Sequence, residues 1–136
     1  MEKPIIALMY DFDKTLAISD MQNFSFIPSL GYTPEEFWNK TSKFCQEMDI
    51  DKVLGYMYMM INLAKEKGIS LTKSYLNSQG KDIKYFRGVE NWFKRIKEYG
   101  KEKGLVIEHY LITSGNKEIV EGTSIFKEFN AVFGCE

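Results

Sequence analysis

The sequence predicts an α/β protein whose small parallel sheet is interrupted by a long helical insertion. Apolar stretches at 5–10, 105–112 and 131–133 have the length and composition of strands. Helical patterns precede the second stretch and separate it from the third, and this alternation favours parallel strands joined by right-handed crossovers. About 70 residues of mostly helical sequence follow the first stretch, which is far more than a crossover needs, so we expect an insertion there.

Composition and charge exclude several classes of protein to which this chain could belong. The 136 residues fit one domain, or one small domain that carries an insertion. Eighteen basic and 19 acidic side chains give a formal net charge of -1, and neither lysine nor arginine forms a run, so we expect no nucleic-acid or membrane partner. Cys45 and Cys135 are too far apart to suggest a disulfide framework, and the first residues lack a signal-peptide pattern, so we expect a cytoplasmic protein.

The expected active site lies at the end of the first strand. Residues 5–10 follow Pro4 and are predicted to form a strand that is buried on both faces. Asp11 and Asp13 come directly after this stretch. Because α/β sheets bind ligands at the carboxyl ends of their strands, we predict that these two carboxylates form the active site.

The insertion is predicted to contain a linker and three helices within residues 17–87. Residues 33–36, Thr-Pro-Glu-Glu, combine a hydroxyl cap, a proline at the first helical position and a glutamate that returns the capping bond. The second helix is capped by Asp49 or Asp51, and the third, shorter helix is capped by Thr72.

The remaining elements lie in the last third of the chain. An amphipathic helix at 90–99 ends at a pair of glycines and leads into the second strand at 105–112. Thr113-Ser114-Gly115 follows this strand, a helix is predicted over 117–129, and the third strand is predicted at 131–133.

Several residues with reactive or soft side chains are predicted to have structural roles. His109, the sole histidine, falls early in the second strand, away from its carboxyl end. Cys45 and the methionines at 57, 59 and 60 lie in helical apolar stripes, where such residues usually fill a core.

Two carboxylates at this position permit phosphoryl transfer. A carboxylate can attack phosphorus and carry the phosphoryl group as an acyl phosphate, and in this scheme Asp11 is the nucleophile. Asp13 would protonate the leaving oxygen and then deprotonate the attacking water. Thr15 would hold the loop in place or meet the phosphate. A divalent cation must offset the repulsion between carboxylate and phosphate, and Mg²⁺ suits a site of hard oxygen ligands.

The predicted phosphate site is completed by Thr113, Ser114 and Gly115. A hydroxyl and free backbone N–H groups at the end of a strand and the start of a helix form an anion site, since the first turn of a helix has unpaired donors. A glycine lets the backbone come close to a ligand. Taken alone, this segment is most often an ordinary turn and helix cap, and its significance comes from its pairing with the first motif.

A calcium loop is an alternative interpretation of the first motif. Asp11, Asp13 and Thr15 would be its first, third and fifth ligands. The sequence has Leu16 where that loop requires glycine and Gln22 where it requires glutamate, so we discard this alternative.

The two motifs resemble those of the haloacid dehalogenase superfamily. The matching segments are residues 11–16, Asp-Phe-Asp-Lys-Thr-Leu, behind an apolar strand, and residues 110–115, Tyr-Leu-Ile-Thr-Ser-Gly. The resemblance covers essentially the whole chain. It implies a Rossmann-like core built from residues 1–16 and 88–136, with residues 17–87 as an α-helical cap.

The resemblance also implies roles for individual residues. Asp11 would be the phosphorylated nucleophile, Asp13 the acid and base, and Thr113 the phosphate-binding hydroxyl. Mg²⁺ would be held by the Asp11 carboxylate and the Asp13 backbone carbonyl. An aspartate at the second position of the motif implies a phosphatase or a phosphotransferase that acts on a small phosphorylated metabolite.

The sequence departs from the family pattern in its second half. The family's lysine motif and its final acidic motif follow the third core strand, and the 136 residues include neither. Lys117 belongs to the helix after the second motif and does not take the lysine role. The first strand would also form an open, apolar sheet edge. We therefore expect these residues to be the front part of a longer enzyme, or a degenerate member that binds metal, phosphate or a partner without turnover.

Two residues of the insertion are candidates for substrate contact. Asp20 lies nine residues after Asp11, where phosphoserine phosphatase-like members carry an acidic residue that meets the substrate amine. Those members also use a cap arginine, and residues 17–86 contain no arginine, which argues against phosphoserine. Arg87 is the arginine nearest the predicted cleft.

Overall fold

The computed structural model describes residues 2–136. The predicted strands and helices occur in the predicted order, with two short 3₁₀ helices at Met21–Asn23 and Phe126–Glu128. The predicted linker also contains a one-turn helix at Phe26–Ser29 that the sequence did not predict. The elements are β1 (Ile5–Tyr10), α1 (Phe26–Ser29), α2 (Pro34–Met48), α3 (Lys52–Glu66), α4 (Lys73–Ser78), α5 (Val89–Glu102), β2 (Val106–Asn116), α6 (Lys117–Glu121) and β3 (Ala131–Cys135).

The three strands form one parallel sheet in the order β1-β2-β3. In β1 and β2, Tyr10 lies opposite Leu111, and in β2 and β3, Ile112 lies opposite Phe133. The predicted α/β class with a parallel sheet is therefore confirmed. The order also places β1 at an edge of the sheet, with no strand on its outer side among residues 2–136.

The prediction that β1 is buried on both faces is wrong. Helix α5 packs on one face of the sheet, where Phe93 stacks edge-on against the buried ring of His109, and no side chain is buried on the opposite face of β1. Met9 of this opposite face is 68% exposed. We call it the open face, and it carries Ile5, Ala7, Met9, Val106, Ile112 and Phe133, all exposed.

The capping predictions for the insertion are confirmed. Thr33 accepts a hydrogen bond from the Glu36 N–H, and the Glu36 carboxylate accepts one from the Thr33 N–H. Asp51, the second of the two predicted alternatives, caps α3 by accepting from the Val53 N–H at 2.7 Å. Thr72 caps α4 in the same way through the Tyr75 N–H.

One hydrophobic core joins the insertion to the sheet. Buried side chains from both parts belong to a single contiguous cluster, and the thiol of Cys45 is buried in α2 as predicted. Met59 and Met60 fill this core, which confirms the structural prediction for them. Members from the two parts include Met21, Phe26, Phe37, Tyr56, Leu63, Phe93, Leu111 and Ile119.

Two predicted boundaries are wrong. Strand β2 continues to Asn116, because Asn116 pairs with Cys135 after an irregularity in the ladder that follows Ile112. The helix predicted over 117–129 ends after Glu121. At Gly122 an added Cβ would lie 1.7 Å from the Asn77 carbonyl oxygen, so the chain turns there against the end of α4.

Among residues 2–136, no helix combines the length and the apolar character required to cross a bilayer.

Candidate active site

The loop after β1 is a tight turn that separates the two candidate carboxylates. The Phe12 carbonyl accepts hydrogen bonds from the N–H groups of Thr15, Leu16 and Ala17 at 3.2, 3.0 and 3.1 Å. The Phe12 side chain is fully buried, and Lys14 has a positive φ of 61°. Because Phe12 is anchored in the core, Asp11 and Asp13 on either side of it are held at the carboxyl end of β1.

Asp13 is half-buried and has an altered acidity. Its Oδ1 accepts a hydrogen bond from the Met21 N–H at 2.8 Å. Burial, with a smaller contribution from the nearby Asp20 and Asp11 carboxylates, raises the pKa of Asp13 to about 6, although the Met21 N–H and Lys14 oppose the shift. A carboxyl with this pKa can both give and take a proton near neutral pH.

Asp11 is exposed and accessible to a ligand. The Thr15 hydroxyl donates a hydrogen bond to its Oδ2 at 3.3 Å. Thr15 therefore holds the loop in this structure, which is one of the two roles that the sequence suggested for it.

The two candidate substrate residues have different surroundings. Asp20 is half-buried, forms an ion pair with Lys14 at 3.2 Å, and lies close enough to Asp13 to raise its pKa. Arg87 is exposed, and the described residues offer it no hydrogen bond or ion pair. The structure thus brings Asp20 close to Asp13 and gives Arg87 no hydrogen bond or ion pair with the candidate site among the described residues.

The geometry of Thr113-Ser114-Gly115 differs from the prediction. These residues lie within β2 rather than after it, and α6 begins only at Lys117, so the segment does not occupy the first turn of a helix. The Gly115 N–H was expected to be free, but it donates to the Thr113 Oγ1 at 3.0 Å. An added Cβ on Gly115 would lie 2.1 Å from the Met21 Cε, so this glycine accommodates Met21.

Met21 connects the two motifs. Its N–H binds the Asp13 carboxylate, and its thioether packs against Gly115. Since β1 and β2 are adjacent and parallel, their carboxyl ends also meet at the same edge of the sheet. The structure therefore brings Asp11 and Asp13 into the same neighbourhood as Thr113 and Gly115.

Tyr56 is a component of this neighbourhood that the sequence analysis missed. It lies on α3, is 6% exposed, and donates a hydrogen bond from its hydroxyl to the Ser114 carbonyl oxygen at 2.6 Å. The Cys135 thiol donates to the same oxygen at 3.3 Å. Burial raises the pKa of Tyr56, and the nearby Cys135 and Asp13 raise it further. A tyrosine in an apolar helical stripe gives no sequence signal that distinguishes it from core.

Trp38 packs against Tyr56 and connects it to the loop after Asp13. The Trp38 ring lies edge-on to the Tyr56 ring with centroids 6.0 Å apart, and the Trp38 indole N–H donates to the Asn23 Oδ1 at 2.7 Å. Asn23 in turn donates to the Ser19 hydroxyl at 2.8 Å. This series of contacts links α2 and α3 to the loop that follows Asp13.

The donor set at the carboxylates suits Mg²⁺ with further ligands from water and substrate. Asp11 and Asp13 supply hard oxygen atoms, and protein-bound Mg²⁺ commonly takes one or two carboxylates, several waters and a substrate phosphate. Within residues 2–136, no group of three or more His, Cys, Asp or Glu side chains is arranged to hold a metal ion.

No family model matches the chain. The chain is 26% identical over 149 aligned residues to a protein of Borreliella burgdorferi (strain ATCC 35210 / DSM 4680 / CIP 102532 / B31) that is described as an uncharacterized protein. The match covers 97% of this chain and 50% of the relative, so the chain spans about half the length of the relative.

Proposed function

We propose that this protein hydrolyses a small phosphomonoester in a Mg²⁺-dependent reaction through a phosphorylated Asp11. The proposal rests on one arrangement at the carboxyl end of β1. An exposed Asp11 and a half-buried Asp13 with a pKa of about 6 lie there together, and the neighbouring strand β2 carries Thr113. A nucleophile and an acid–base group with different environments are what a two-step phosphoryl transfer requires.

The first step transfers the phosphoryl group to the enzyme. An Asp11 carboxylate oxygen attacks phosphorus, and the bond between phosphorus and the ester oxygen breaks. Protonated Asp13 gives its proton to that oxygen, so the alcohol leaves neutral.

The second step restores the enzyme. Ionised Asp13 takes a proton from a water molecule, whose oxygen attacks the phosphorus of the acyl phosphate. Inorganic phosphate leaves, Asp11 regains its carboxylate, and Asp13 is again protonated. In both steps the Thr113 hydroxyl would donate a hydrogen bond to a phosphate oxygen. Asp11 and Asp13 would hold Mg²⁺, whose positive charge would offset the repulsion between carboxylate and phosphate.

We extend the proposal to the fold and the cell compartment. The resemblance to the haloacid dehalogenase superfamily supports a core formed by residues 1–16 and 88–136 and a cap formed by residues 17–87. The free thiols of Cys45 and Cys135 support a cytoplasmic location. No nucleic-acid or membrane partner is part of the proposal.

Phosphate binding without turnover is the second candidate function. Two carboxylates without a third metal-ligating side chain among residues 2–136 favour it, because metal affinity rises with the number of protein ligands. The two candidates are separated by whether product forms. Transfer to an added acceptor alcohol in place of water would instead indicate a phosphotransferase.

The test is phosphate release from an aryl and an alkyl phosphate, with and without Mg²⁺. We expect release by the wild type with Mg²⁺ and none by Asp11→Asn, since an amide is not a nucleophile toward phosphorus. Asp49→Asn is the matched control, because Asp49 ends α2 with a positive φ of 49°, where asparagine is well accepted. Release by Asp11→Asn at a rate similar to that of the control would contradict the proposal.

A further inference from the structure

Tyr56 holds one end of a peptide unit whose other end contacts the proposed phosphate-binding hydroxyl. The Ser114 carbonyl and the Gly115 N–H belong to the same planar peptide group. The carbonyl accepts the Tyr56 hydroxyl at 2.6 Å, and the N–H donates to the Thr113 Oγ1 at 3.0 Å. The orientation of this plane is therefore fixed by a hydrogen bond at each end.

The bond to Thr113 determines where its hydroxyl proton can point. Because Oγ1 accepts the Gly115 N–H on one side, its own O–H is directed elsewhere, and Thr113 is 9% exposed. Donation to the Ser114 carbonyl also polarises the peptide and makes the Gly115 N–H a stronger donor. Tyr56 thus acts on Thr113 through a single peptide group.

The surroundings make Tyr56 the main donor to this carbonyl. Its ring is buried and flanked by Trp38, so the hydroxyl cannot easily turn to solvent. The competing donor is the Cys135 thiol at 3.3 Å, and a thiol is a weak donor.

We propose that Tyr56 is a positioning residue that orients the Thr113 hydroxyl for phosphate through the Ser114–Gly115 peptide, and so couples helix α3 to phosphate binding. This inference rests on the proposed function, since it assigns Thr113 to the phosphate. It gives the insertion a role at the site through Tyr56, which lies 58 positions before Ser114 in the sequence.

The experiment compares Tyr56→Phe with Tyr58→Phe. Tyr58 lies on the same helix but stacks on Phe44 and is half exposed, so its variant repeats the chemical change without touching Ser114. The first readout is the affinity for inorganic phosphate in the presence of Mg²⁺. The second is the amide chemical shift of Gly115 in the NMR spectrum of the protein without phosphate.

We expect Tyr56→Phe to weaken phosphate binding about tenfold and to move the Gly115 amide proton upfield, because its hydrogen bond to Thr113 weakens. Tyr58→Phe should change neither readout. A lower unfolding temperature of Tyr56→Phe with unchanged phosphate affinity and an unchanged Gly115 shift would show a purely structural role and overturn the inference.

Cys135→Ser provides a second variant with the opposite expected sign. It places a stronger donor at the same carbonyl, so the Gly115 amide proton should move downfield, and adding it to Tyr56→Phe should restore part of the phosphate affinity. If Cys135→Ser alone leaves the Gly115 amide shift unchanged, the inference is contradicted even if Tyr56→Phe does not fold. If the wild type binds no phosphate and releases none from any substrate, the proposed function itself fails. Equal phosphate binding by wild type and Tyr56→Phe refutes only the positioning role.

Discussion

At the scale of single residues, the candidate site depends on the protonation state of Asp13. Burial of this carboxyl raises its pKa to about 6, whereas Asp11, on the other side of Phe12, is exposed to solvent. The difference follows from the turn itself, because anchoring Phe12 in the core places one neighbour outside and the other against the Met21 backbone. Two chemically identical side chains can in this way take different roles in one reaction.

The raised pKa of Asp13 predicts a pH-dependent effect on stability. A carboxyl whose pKa is higher in the folded state contributes stability that is fully present below its unfolded value of 3.8 and is lost as the pH rises through about 6. Asp13→Asn cannot ionise, so the variant does not lose this stability as the pH rises. Its Oδ1 can still accept a hydrogen bond from the Met21 N–H. We expect the variant to exceed the wild type in free energy of unfolding by on the order of 2 kcal/mol at about pH 8, and by little at about pH 4.

Urea unfolding of both proteins at the two pH values measures this difference. An equal difference in unfolding free energy at both pH values would show that the raised pKa of Asp13 is not the cause of that difference. A wild type that is more stable than the variant at high pH would mean that the charged form of Asp13 is favoured by the fold.

Single residues also show how far the sequence could predict the structure. The caps formed by Thr33, Asp51 and Thr72 were predictable, because a capping bond joins residues only two or three positions apart. The bond from Tyr56 to Ser114 was not, since it spans 58 positions and depends on how two elements pack. The same holds for the pKa of Asp13, whose main cause is burial.

At the scale of elements, the main errors concern the region around the second motif. A turn was expected after Ile112 because Thr-Ser-Gly-Asn is typical of turns. The strand instead continues to Asn116, which pairs with Cys135 on β3. The helix after it is short because Gly122 packs against the Asn77 carbonyl of α4, a tertiary contact that periodicity cannot reveal.

One face of the sheet is covered by helix α5, and the opposite, open face is exposed. Parallel sheets are usually covered on both faces, which is why the apolar sequence of β1 predicted full burial. Here the apolar sequence was interpreted correctly as strand, but the described residues place helix α5 on the opposite face. Met9 and Phe133, at 68% and 58% exposed, therefore form part of an apolar patch on the open face, on the two outer strands of the sheet.

We predict that the open face makes the isolated chain self-associate. Met9→Lys should reduce both the binding of the dye anilinonaphthalene sulfonate and the concentration dependence of sedimentation, because a charge at an exposed edge strand opposes association. The change in unfolding free energy should stay within about 0.5 kcal/mol, as expected for a surface site.

Leu54→Lys is the matched control for the open-face prediction. Leu54 is 65% exposed on α3, away from the sheet, and has nearly the same exposure as Met9. If Leu54→Lys lowers dye binding and association as much as Met9→Lys does, general surface hydrophobicity, and not the open face, causes the association.

At the scale of the whole molecule, the insertion and the sheet form one packed unit. The hydrophobic cluster is continuous across both, Met21 contacts residues of both motifs, and Tyr56 contacts the second motif. The insertion follows the first motif directly in sequence, and for this reason its position beside the site was predictable. The particular side chains that make the contacts were not.

The open edge of the sheet at β1 was also predictable from the sequence. The family resemblance predicted that β1 would be an open edge, and the strand order β1-β2-β3 confirms this for residues 2–136. The chain matches about half of the Borreliella burgdorferi protein. This relation between the two lengths could not be predicted from one sequence alone.

The central claim is that Asp11 carries a phosphoryl group during the reaction, and intact-mass spectrometry of acid-quenched protein tests it most directly. After incubation with an aryl phosphate and Mg²⁺, we expect one added phosphoryl group on the wild type. Asp13→Asn should accumulate more of this adduct, because it lacks the base that activates water. Peptide mapping should place the group on Asp11, and Asp11→Asn should carry none. An adduct on Asp11→Asn, or its absence from both the wild type and Asp13→Asn, would contradict the account.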